Sequence, residues 1–124
     1  MSSRVSIDFV GRFNTTLVEF VNDLAAAFPN FGDFQTMKTV LSIAVAATPK
    51  VPVSIFHKTA IKYEKQIMEK DEKFLLEETY DDEHVDMDIA DKIKAIWKVT
   101  DAENKEIIWR YLKQLVMLDK RIHV

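Results

Sequence analysis

The side chains able to do chemistry are three histidines, His57, His84 and His123, and 20 carboxylates, with no cysteine among the 124 residues. A metal face on one helix needs two imidazoles or thiolates three or four residues apart, and none of the histidines has a second histidine or cysteine at that spacing. His84 stands among carboxylates, where a divalent ion would be held only weakly. His84 therefore reads as a surface residue, and no metal or cofactor is expected. The lack of cysteine removes thiolate nucleophiles and structural disulfides together.

The carboxylates invite a calcium reading, which the spacing refuses. An EF-hand loop wants oxygen ligands at positions 1, 3 and 5, glycine at 6 and a bidentate glutamate at 12. Starting at Asp82, the loop would place His84 and Asp86 at positions 3 and 5, Met87 at 6 and Ile93 at 12. Starts at Asp81 and Asp86 fail as well. Catalysis fares no better. No G-x-S-x-G elbow, phosphate loop or H-E-x-x-H pair is present, and serines and threonines are scattered mostly near helix ends. The expectation is a protein that is not an enzyme and has no small-molecule substrate.

What remains is chemistry of contact. Residues 69–91 carry 11 acidic and two basic side chains, a charge of −9, and the rest carries 15 basic and nine acidic, a charge of +6. The sum of −3 is segregated along the chain. Glu77, Glu78, Asp81, Asp82 and Glu83 form the densest acidic group and are a candidate docking segment for a protein partner. Residues 92–121 hold eight basic against four acidic side chains, too opposed a patch for nucleic acid. Contact between the basic and acidic parts, within one chain or between copies, would be weakened by salt.

These groups must be positioned by helices. Only two glycines occur, Gly11 and Gly32, and no Asn-Gly or Asp-Gly dipeptide marks a hairpin. From Ser6 to Phe28, Phe9, Phe13, Leu17, Phe20, Leu24 and Phe28 fall on one face of a helix, and Pro29 ends it. Asp33 reads as the cap of a second helix. Its run from Val40 to Ala47 is apolar nearly all round, which predicts a central helix covered on most sides. Pro52 suits the first turn of a third helix reaching about Lys70, with Phe56, Ala60, Tyr63 and Ile67 inward. Phe74, Leu75 and Leu76 can form an apolar anchor of one turn inside an acidic connector at residues 71–87. Asp88 can cap a fourth helix that turns Ile89, Ile93, Ile96 and Trp97 inward. Thr100-Asp101-Ala102-Glu103 matches a capping box for the fifth helix, which runs to about Ile122.

On that last helix the main stripe centres on Ile108, Tyr111, Leu115 and Ile122. Trp109, Leu112 and Val116 form a second apolar edge roughly 100° around. Packing against two neighbours would explain it. So would a partner anchored on the tryptophan, because aromatic side chains dominate interface energetics. The fold expected is all-α, a compact bundle or orthogonal array of about five helices in a single domain spanning residues 1–124. Met1 to Val10 lacks the basic and apolar regions of a signal peptide, and no run approaches the roughly 20 residues of a membrane span. An intracellular setting is the simplest expectation.

The C-terminal third carries Ile96-Trp97-Lys98, Glu103-Asn104-Lys105 and Ile108-Trp109-Arg110-Tyr111-Leu112. In these it resembles the ends of short uncharacterised all-helical proteins of large DNA viruses of algae and protists. That resemblance implies a viral origin, in host cytoplasm or virion, and transfers no catalytic residue. The resulting expectation is a structural or protein-interaction module acting through helix surfaces, with self-association through the Trp109 edge. The rival expectation is a regulatory adaptor that binds a host protein through its acidic segment.

Overall fold

The computed structural model describes residues 8–76 and 89–123, except for the side chains of Ala90 and Asp91. Among these residues there are six α-helices and no strand: α1 (Phe9–Ala27), α2 (Gly32–Ala47), α3 (Val51–Met68), the single turn α4 (Lys73–Leu76), α5 (Ile89–Ile96) and α6 (Ala102–Ile122). A 3-10 turn, Trp97–Val99, links the last two. The acidic residues 77–88, including Glu77, Glu78, Asp81, Asp82, Glu83 and the expected cap Asp88, lie outside the described residues.

Local chemistry sets the helix ends. Asp8 caps α1 by accepting the Gly11 amide at 2.7 Å, and Phe28 closes the helix before Pro29. Pro52 sits in the first turn of α3, as its missing donor favours. α3 ends in a Schellman motif: Lys70 N–H reaches Ile67 O at 3.1 Å and Asp71 N–H reaches Gln66 O at 2.7 Å. Lys70 takes the left-handed conformation there, with φ 56°, where glycine is usual. Its ammonium lies 2.7 Å from Glu106 and holds that carboxyl below the ordinary glutamate range.

Two expected caps shift by a residue or two. Asp33 lies within the first turn of α2, whose N-cap is Phe31 with no side-chain bond. The half-buried Phe31 ring meets Phe28 edge-on at 6.0 Å, and that apolar contact, more than a polar cap, fixes where α2 begins. At the start of α6 the cap is Asp101, which accepts Asn104 N–H at 2.8 Å. Thr100 instead donates its buried hydroxyl to Ile96 O at 2.7 Å, because the preceding 3-10 turn leaves that carbonyl within reach.

The core is one cluster of buried side chains. α6 lies between α1 and α3. It runs antiparallel to α3, as the pairs Lys70–Glu106, Glu64–Lys120 and His57–Asp119 demonstrate. The C-terminal half of α1 lies against the N-terminal half of α6, where Phe20 stacks on Tyr111 at 4.7 Å. The Tyr111 hydroxyl donates to Asp23 at 2.5 Å. α1 and α2 are antiparallel, pinned by Asn14 Nδ2 donating to Pro49 O at 2.8 Å and by Gln35 Nε2 donating to Ala25 O at 3.3 Å. α4 and α5 close one end over Phe74, Trp97 and Trp109, with Ile89, Ile93 and Ile96 all buried as their spacing requires.

The expectation of a central α2 is overturned. Among the described residues its principal neighbours are α1 and α3, so Phe34, Met37 and Leu41 are buried while Ile43, Ala46 and Ala47 face outward. Apolar residues around a whole helix record what could be covered. Whether a neighbour arrives is decided by how many helices the chain has to pack.

Candidate functional site

Trp109, Leu112 and Val116, offered by the sequence as a partner-binding edge, are core residues, each no more than 4% exposed. Trp109 meets Trp97 edge-on at 5.3 Å and tilts against Phe74 at 6.3 Å. α3, α4 and the 3-10 turn together cover this side of α6. A helix with two flanking neighbours needs two apolar stripes, and the second stripe answers that need. The acidic candidates lie outside the described residues, so the structure unites none of the sequence-derived partner residues at a surface.

Two other features stand out. The first is the outward face of α2. Ile43 is 65% exposed at its centre, with half-buried Val40 and exposed Ala46 and Ala47 around it. No charged residue occurs between Lys38 and Lys50. The hydroxyls on this face are turned back on their own helix, Ser42 to Lys38 O at 2.9 Å and Thr39 to Gln35 O at 3.4 Å. Its polarity is therefore lower than its composition suggests.

The second is a cluster that brings two distant histidines together. Asp119, 2% exposed, lies in the last turn of α6, with His123 four residues on at the helix C-cap. α3 delivers His57 from 62 residues away, and its Nδ1 lies 2.8 and 3.0 Å from the two carboxylate oxygens of Asp119. His123 Nδ1 lies 2.9 Å from the same carboxylate. The two imidazoles stack, centroids 3.8 Å apart and planes 16° from parallel. Each ring can donate its Nδ1 proton to the carboxylate, which accounts for a charge-bearing group buried between two helices. One atom from each of the three residues lies within 4.8 Å of the others, the spacing of a ligand set for one ion.

The cluster borders a hollow also lined by Ala60, Ile61, Glu64 and Lys120. Among the described residues, no hydroxyl or thiol lines this hollow. His57 and His123, which have no second histidine or cysteine at helical spacing, are both partnered in the fold, and each is about one-third exposed at its side chain. One signal for this was present, a carboxylate one helical turn before His123. A search restricted to histidine and cysteine passes over it, and no local pattern announces His57.

No protein-family model, curated protein or solved structure matches this chain. Among the described residues, no single helix is long and apolar enough to cross a membrane.

Proposed function

We propose that the chain is a non-enzymatic helical interaction module that pairs with a second copy of itself through the outward face of α2. The observation behind this reading is Ile43, exposed at the centre of a face with no charge from Thr39 to Pro49. Two such faces can meet about a two-fold axis without burying a charge or opposing like charges. Alanines and hydroxyls turned to their own backbone let the helices approach closely, and burial of Ile43 against its counterpart supplies apolar area at the centre. The surface thus differs from the one expected on α6, but the class of function is the same. A viral setting, implied by the resemblance of the C-terminal third, accords with a protein that acts by assembly.

Sedimentation velocity over a concentration series tests the proposal. The wild-type chain should shift from monomer to dimer as concentration rises, and Ile43→Glu should remain monomeric with an unchanged circular dichroism spectrum. A wild-type chain that stays monomeric throughout, or a variant that dimerises as readily, would refute it.

A further inference from the structure

We propose that His57, Asp119 and His123 form a binding site for a divalent transition-metal ion of the zinc class. Two imidazoles and one carboxylate converge from α3 and the end of α6, with one donor atom from each within 4.8 Å of the others. Hard ions such as calcium and magnesium take oxygen ligands, whereas two imidazoles with a carboxylate suit zinc, cobalt, nickel or copper. The nearby hollow leaves an open side for water as a fourth ligand.

The geometry is close to what such an ion requires. Metal–nitrogen and metal–oxygen distances of about 2.0–2.2 Å place tetrahedral ligand atoms roughly 3.4 Å apart. The carboxylate–Nδ1 separations are 2.8–3.0 Å, so the donor atoms need to open by only a few tenths of an ångström. Both stacked rings turn Nδ1 toward Asp119, and binding would splay them so that both lone pairs converge on the ion. Their partial exposure, and the position of His123 at the very end of α6, leave room for that rotation. In the metal-bound form each imidazole would carry its proton on Nε2, leaving the Nδ1 lone pair that faces Asp119 free for the ion. Bound metal would then tie the end of α6 to α3.

The alternative is that Asp119 merely satisfies two imidazole N–H groups. The two readings separate on metal titration of the full-length chain, prepared without a histidine tag and stripped by chelation. Visible absorption should follow Co2+ uptake to one ion per chain, Zn2+ should displace it, and Zn2+ should raise the melting temperature. His123→Ala at the helix end, and His57→Ala, should each weaken Zn2+ binding by at least tenfold, the lower bound for losing even an outer partner of a metal ligand. Asp119→Asn should do the same, and circular dichroism identifies any variant that fails to fold. His84→Ala is expected to bind as the wild type does. Absence of one-to-one uptake, or unchanged affinity in folded His57→Ala and His123→Ala, would overturn the proposal. So would loss of binding in His84→Ala alone, which would assign the ion to the acidic segment.

Discussion

The Trp109–Leu112–Val116 edge of α6 and the Val40–Ile43–Ala47 face of α2 are both apolar surplus, beyond what a helix with one neighbour needs, and they meet opposite fates. The α6 edge is sealed against Phe74 and Trp97, whereas the α2 face remains open. Both helices pack against α1 and α3, but α6 is covered in addition by Phe74 and Trp97, whereas among the described residues nothing comparable covers the outer side of α2. Apolar composition therefore measures how much contact a helix can use, and its place in the packing determines how much it receives.

Substitution is the sharpest way to break this comparison. Trp109→Ala should cost about 3–5 kcal/mol, because a large buried ring leaves a cavity that fixed helices cannot collapse. Against a total stability of roughly 5–15 kcal/mol this moves the denaturant midpoint far, or unfolds the chain. Ile43→Ala should stay within about 0.5 kcal/mol of wild type when measured on the monomer at low concentration. A Trp109 variant that unfolds at the wild-type midpoint would remove the contrast.

A smaller effect is expected at Tyr111, which joins α6 to α1. Burial and the bond to Asp23 push its hydroxyl from 10.0 up to about 12. A pKa raised on folding gives stability that is complete below the unfolded value and disappears as pH climbs through the folded one. Tyr111→Phe should therefore lose about 1–2 kcal/mol at neutral pH. Its deficit relative to wild type should shrink between pH 10 and 12. Melting curves of the two proteins across that range should converge, and a constant gap would contradict the assignment. Smaller again is the α6 cap. Asp101→Ala should cost about 1 kcal/mol and Asp101→Asn much less, since asparagine can still accept the Asn104 amide.

Much of the fold was legible in local pattern. The amphipathic stripe of α1, its end at Pro29, the start of α3 at Pro52, the single turn at Phe74 and the inward isoleucines of α5 all follow from spacing, because period and punctuation act within a few residues. The caps of α2 and α6 lie a residue or two from the polar residues Asp33 and Thr100 that local pattern favours. There, a phenylalanine contact and a 3-10 turn overrode the polar residue that sequence favours. The candidate sites were less legible. Trp109 was marked as special, but whether it faced core or solvent depended on α3 and α4, which its own helix does not encode. Of the histidine cluster, only the Asp119–His123 spacing was local.

By itself the sequence determined that this chain is helical, where most of its helices begin and end, and which faces are apolar, since these depend on forces along a single helix. Only the tertiary structure decided which apolar faces are covered and that His57 and His123 share one buried carboxylate. Those outcomes depend on which helices become neighbours, a relation between distant residues that composition and periodicity do not carry.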